Sequence, residues 1–171
     1  MNITMLPINE YNAYYSNYIN LVSHASLQIG LEDNFNKTLE FYESIPESEL
    51  TYRYAEGKWT IKEIIQHLLD TERVFAYRAL CFARKEPIAL PGFNQDDYLA
   101  NSNANERGKE GLINEYKAVR RASVALFAGF TDDMLKQLGI ASGSPMSTRA
   151  AGFIIIGHET HHCNIIKERY L

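Results

Sequence analysis

The chain has little of what marks several protein classes. Cysteine occurs only twice in 171 residues, at Cys81 and Cys163. Two thiols cannot build a disulfide-rich scaffold or a four-thiolate zinc site. Both fall mid-pattern in helical segments, so we read them as reduced core thiols of a cytoplasmic protein; Cys163 neighbours His162, and a reactive thiol there is the lesser reading. No apolar run approaches the roughly 18 residues of a membrane span. The longest uncharged apolar stretch, residues 150–157, belongs to a core helix. Basic residues do not cluster and the formal net charge is −4, which argues against nucleic-acid binding. The start, Met1-Asn2-Ile3-Thr4, lacks the basic residues and apolar run of a secretory signal, so no leader is expected. No β-rich alternation, internal repeat or low-complexity stretch appears.

What is present is a globular composition, 46% apolar, long enough for one domain over residues 1–171 with a sizeable core. Three of the five histidines lie within five positions, in Gly157-His158-Glu159-Thr160-His161-His162. The surrounding segment, 148–170, has helical character. Residues four apart on a helix share a face, with Cβ atoms about 6 Å apart. His158 and His162 are such a pair and can share one metal ion. They lie in an apolar stripe with Ala151, Ile155 and Ile165. Buried imidazoles need partners, and a metal supplies one. The same letters spell HExxH, the zinc-protease pattern with Glu159 as base.

Along the chain, residues 7–24 are rich in tyrosine and read as a short N-terminal helix laid across the rest, with a break near Gly30. Leu31 to Ser44 gives a second helix, with Leu31, Phe35, Leu39 and Tyr42 inward and Pro46 as its stop. One helical turn is expected at 47–50. Thr60-Ile61-Lys62-Glu63 is a capping box, and Trp59 with Ile64 fits a hydrophobic staple. The helix it starts carries Ile61, Ile64, Ile65, Leu68, Phe75, Ala79 and Phe82 on one face and runs to about Arg84. His67 lies beside that stripe. Glu72 lies within it and wants a partner. Residues 87–104 read as a loop with one helical turn near 94–98. Residues 105–129 form a further long helix with Leu112, Tyr116, Val119, Val124 and Phe127 inward. A short helix at 132–138 and a loop over 139–145 precede the last helix, capped by Ser147 or Thr148. Four long helices with unequal loops make an all-α four-helix bundle with long crossover connections and a short N-terminal helix, residues 1–26 packing on it as an extension.

The sequence resembles the DinB-like superfamily of helical-bundle metalloproteins. The likeness is carried by Gly57-Lys58-Trp59-Thr60-Ile61-Lys62-Glu63-Ile64 leading to His67, by Asp70-Thr71-Glu72-Arg73, Tyr77-Arg78-Ala79-Leu80 and Leu90-Pro91-Gly92-Phe93, and by the terminal histidine cluster with Glu168-Arg169-Tyr170-Leu171. It covers nearly the whole chain from about residue 30. The resemblance implies that His67, His158 and His162 bind a divalent metal. It thereby favours a third ligand upstream over the HExxH reading, because no third-ligand motif follows His162 and Glu159 sits about 100° around the helix. His161 then lies off the metal. Three neutral imidazoles leave a position open. Zinc or nickel is the first choice, with iron and manganese compatible.

The resemblance further implies a metal-dependent thiol S-transferase of the bacillithiol or mycothiol type, or a related isomerase or hydrolase. Its partners would be a small-molecule substrate and a low-molecular-weight thiol, and its state a homodimer. Glu72 is then the candidate catalytic acceptor, and Arg73 and Arg78 are candidate anchors for an anionic substrate or cofactor. A non-catalytic metal-binding stress-response or interaction protein is the alternative, and a degenerate triad surviving as core is a third.

Overall fold

A computed structural model of the chain describes residues 6–171; Met1-Asn2-Ile3-Thr4, on which the expectation of no leader rests, lie outside the described residues. Four long helices make the body: α2 (Leu27–Ser44), α3 (Ile61–Ala83), α5 (Lys109–Ala128) and α7 (Thr148–Arg169), with short helices α1 (Ser16–Ile19), α4 (Gln95–Ala100) and α6 (Asp132–Leu135). Both α2 and α3 pack on α5 and on α7, and α3 with α7 is the most extensive pairing. The first long helix α2 therefore sits across a diagonal from α3, and α5 across the other diagonal from α7, while α3 and α5 are neighbours. The diagonal steps are made by the long crossovers over 45–60 and 129–147, and residues 84–108 join the neighbours α3 and α5.

The core follows from the spacing. Every residue of the α3 stripe is buried. At its start Thr60 accepts from the Glu63 amide while the Glu63 carboxylate accepts from the Thr60 amide, closing the capping box. Ser147 caps α7 by accepting from the Ala150 amide. Leu31, Tyr42, Ile154 and Ile166 fill the seams between helices.

Four expectations are corrected. Residues 7–24 are not one helix: two 3-10 turns, Ile8–Glu10 and Ala13–Tyr15, lead into the single turn of α1. Gly30 does not break a helix. It lies inside α2, which starts at the Ser26 cap, where an added Cβ would meet the Ile156 side chain at 3.0 Å. Close packing has overridden propensity there. The third long helix begins at Lys109, because Asn105 is engaged elsewhere: it accepts from the Thr60 hydroxyl and donates to Glu63. Residues 139–145 are not a plain loop but most of an antiparallel hairpin, β1 (Leu138–Ala141) and β2 (Ser144–Ser147). Its two-residue turn is Ser142-Gly143, both at positive φ (51° and 75°), the conformation that matches strand twist. The Leu90 amide donates to Ile140 and the Ser142 amide to Leu90, so the 84–94 crossover docks on this hairpin.

Among the described residues no helix is long and apolar enough to cross a membrane.

Candidate metal centre

α3 and α7 face each other along the bundle, and their facing stripes bring His67, His158 and His162 together. The Nε2 atoms of His67 and His158 lie 3.1 Å apart, and those of His162 and His158 3.2 Å apart. All three lie within 4.8 Å of one another. Nitrogens bound at about 2.1 Å to one ion lie roughly 3.0 to 3.4 Å apart over octahedral to tetrahedral angles. Two of the three pairs match that range and the third stays within 4.8 Å, so the three side chains are placed to share a divalent ion. Thr71, one turn along α3, places its hydroxyl 3.4 Å from His67 Nδ1, where it can orient the ring. Tyr18 lies edge-on to His158 at 5.1 Å, and the Trp59 ring lies 4.8 Å from His67.

The electrostatics favour the ligating form. Burial holds His67 down at about 4. Burial, with neighbouring His67 and His161, holds His162 at about 3. His158 lies well below the ordinary range, from burial first and then from its imidazole neighbours. An unfolded chain protonates these rings near pH 6.5, whereas the folded chain resists until far lower. The triad's contribution to stability is thus complete above pH 6.5 and is lost as pH falls toward 4, on the order of 3 kcal/mol for His67 alone. Glu159 acts in the opposite sense. Burial, ahead of the downward pull of Arg120, lifts its carboxyl from 4.5 to about 7, so it favours the folded state as pH falls through that interval. Three imidazoles outweigh one carboxyl. The metal-free protein is expected to show a thermal midpoint that drops steeply between pH 6.5 and 4 in scanning calorimetry. A flat midpoint there would mean that the rings are not held neutral.

His67 and His158 form part of the wall of a cavity of about 450 Å³. Tyr14, Tyr15 and Tyr18 of the N-terminal strap close one side, and Phe75, Phe93 and Asp96 another. The strap is pinned at Glu10, whose carboxylate accepts from the Ser147 hydroxyl at 2.7 Å and from the Arg149 guanidinium. At its far end the Tyr18 carbonyl rests against Gly157.

The other sequence candidates are distributed as follows. Arg78 is buried and borders the cavity, donating to the Pro91 carbonyl (3.0 Å) and the Ser142 hydroxyl (2.9 Å), with its guanidinium 5.0 Å from the Phe75 ring centre. Arg73 is exposed, paired with Glu115 at 2.6 Å, and does not line that cavity. Glu72 is buried with both oxygens held at 2.9 Å by Arg120. Glu159 points at the same arginine (3.0 Å) and also accepts from Thr38 and Tyr116, so the HExxH carboxylate is committed to a neighbouring helix. His161 is half-buried against Tyr18. Cys163 is buried, its thiol pushed up to about 12 chiefly by burial, which makes it a core thiol and not a nucleophile.

Sequence reasoning missed Arg120, Thr38 and Asn34, which complete the network beneath the triad. Arg120 was detectable: it falls four residues after Tyr116 on the inward face of α5, a position where a charge calls for partners.

Comparison with known proteins agrees with this picture. A family model described as the DinB superfamily matches residues 31–166. A candidate metal-dependent hydrolase of Oceanobacillus iheyensis is 24% identical over 138 residues, which is 80% of this chain and 79% of that protein. The solved structure of YfiT from Bacillus subtilis, described as a probable metal-dependent hydrolase with an unusual four-helix bundle topology, superposes with a TM-score of 0.73 at 18% identity. The match covers 95% of this chain and 90% of that one.

Proposed function

We propose, from the premise that this chain belongs to the DinB superfamily, that it is a divalent-metal-dependent enzyme acting on a small molecule in the cavity beside His67 and His158. One observation carries the reading: three imidazole nitrogens from two helices converge, and two of the rings, His67 and His158, stand in the wall of the cavity. A divalent ion there, zinc or nickel first, supplies the Lewis acidity that brings a bound thiol or water toward ionisation at neutral pH.

The chain's own residues supply position and environment. Thr71, Tyr18 and Trp59 fix the planes of the rings. Phe75 and the tyrosine strap exclude water. Arg78 is the cation at the cavity wall nearest an anionic group of substrate. Glu72 acts as a positioning residue through Arg120, which also holds the carboxylate next to His158. Arg73 serves the surface pairing with Glu115.

Thiol S-transfer is the reading we favour. In it a sulfur–carbon bond forms, the substrate's leaving group departs, and the thiol proton leaves with it. Among the described residues Asp96 is the one carboxylate lining the cavity and is itself exposed, and a thiol ionised at the centre needs no such base. Hydrolysis is the second reading, favoured by the descriptions of the two relatives. A cavity of about 450 Å³ beside His67 and His158 weighs against a purely metal-storing or interaction role. A homodimer, a cytoplasmic setting and a single domain over 1–171 belong to the same proposal; Leu6 and Val22, sharing one apolar cluster with Phe153, support the last.

Metal content of untagged protein tests it. About one equivalent is expected in the wild type and almost none in His67→Ala or His158→Ala, since losing one of three ligands removes most of the affinity. Trp59 emission should be quenched by Ni²⁺ and recover with EDTA. Metal kept in His67→Ala but lost in His158→Ala would return the site to the local HExxH pair. Metal-loaded protein is then assayed for thiol consumption against ester or amide cleavage.

A further inference from the structure

His162 is the least buried of the three imidazoles, and it does not line the cavity that His67 and His158 share. With His161 it lines a second cleft of about 280 Å³, between residues 54–59 and the end of α7. The cleft walls are aromatic and aliphatic. Trp59 stacks over His162 with 21° between planes and 6.3 Å between centres. Tyr54 meets Tyr170 edge-on at 5.0 Å, and the Tyr170 hydroxyl donates to the Trp59 carbonyl at 2.7 Å, so the rings hold one another in place. Ile165 forms part of the floor. At the rim an added Cβ on Gly57 would meet nothing within 4 Å, which marks an open mouth. Lys58 is the one Lys, Arg, Asp or Glu lining the cleft, and among the described residues no carboxylate pairs with it within 4.0 Å.

We propose that this cleft is a second ligand site, taking a flat apolar molecule with one negative charge, seated on Trp59 with its anionic end at Lys58. Mostly apolar walls with one or two convergent polar groups are the usual make-up of small-molecule sites. The parallel faces of Trp59 and His162 suit a planar ring system. A single lysine matches a monoanion, whereas a phosphate dianion would call for further donors. The cleft and the larger cavity reach the histidine triad from different sides. Two organic reactants then have separate approaches to it, the requirement of a transfer reaction, while hydrolysis needs only one. That last step rests on the proposed function; the cleft itself does not.

The test uses 2-naphthoate and its neutral counterpart 2-naphthamide, titrated into ¹⁵N-labelled protein. The chain has one tryptophan, so the indole N–H cross-peak of Trp59 is a single, unambiguous reporter on the wall of the cleft, and the Lys58 and Ile165 variants tie its shift to the cleft. Naphthoate is expected to shift it saturably with a Kd of about 1 mM or tighter. Naphthamide should bind about three- to fivefold more weakly, the value of one exposed charge pair, and Lys58→Gln should remove that difference. Ile165→Phe, which crowds the floor and leaves Trp59 the one indole, should weaken both about tenfold, with metal content and circular dichroism as in wild type. A Trp59 peak that stays put up to the solubility limit of naphthoate overturns the site. Equal binding of acid and amide by the wild type overturns its preference for an anion. Metal content of the same samples separates the two readings: wild type that binds naphthoate but no metal overturns the triad assignment and leaves the cleft standing.

Discussion

Replacing Arg120 by methionine is expected to destabilise the protein by about 3–5 kcal/mol at pH 7.5. The side chain is wholly buried (0% exposed). It donates to both oxygens of Glu72, to Glu159 and to Asn34, each at 2.9–3.0 Å. The variant leaves two buried carboxylates with no cation. Burial without that cation disfavours charged carboxylates, so the loss is largest at high pH and shrinks as pH falls and they take up protons. Urea midpoints from pH 8 to 5 would display this convergence. A loss that does not vary with pH would show that the charges are compensated elsewhere. Adding Glu72→Gln and Glu159→Gln should restore much of the stability, because removing a whole buried ionic group costs far less than orphaning half of it. Metal affinity should fall about tenfold in R120M as well, since Glu159 adjoins His158.

The second large effect concerns Gly157→Ala. Helix propensity alone predicts a gain of about 1 kcal/mol for removing a mid-helix glycine. The surroundings reverse the sign. An added Cβ would lie 2.0 Å from the Tyr18 carbonyl oxygen and 2.4 Å from its carbonyl carbon. These are backbone atoms, so no side chain can swing aside and the strap must lift. Overpacking of this kind costs about 1–3 kcal/mol. A lower thermal midpoint is therefore expected, together with loss of the Tyr18 edge contact on His158 and a cavity open on the strap side. With an active preparation, KM should rise more than kcat falls. A midpoint at or above the wild-type value would show that the strap does not depend on this close approach.

The parts of the fold legible in the sequence were those fixed over a few residues. The α3 capping box, its apolar stripe and the i, i+4 histidines depend only on helical periodicity, and the structure keeps all of them. Joining His67 to His158 across 91 positions was beyond periodicity and came from family resemblance; the geometry brings the two rings together. What stayed hidden depends on distant partners. Gly30 looks like a breaker until Ile156 is seen against it. Ser142-Gly143 is a hairpin turn only because the flanking residues find each other and Leu90. Asn105 looks like the first turn of a helix, yet Thr60 and Glu63 claim its side chain. Arg120 was passed over because a charge in a stripe is read more easily as an interruption than as the hub of a network.

The three histidines come from just two helices, and those two make the most extensive pairing in the bundle. The centre therefore works as a vernier. Advancing α7 by one residue along α3 moves a side chain about 1.5 Å and turns it roughly 100°, enough to carry both His158 and His162 out of line with His67. Only one alignment of the two helices yields three convergent nitrogens. The apolar residues that hold that alignment, Phe75 and Ala79 on α3 with Ile154 and Ile155 on α7, share one buried cluster and are set as tightly as the ligands themselves. A change of shape among them, even one neutral for stability, is read out as a change in the metal centre.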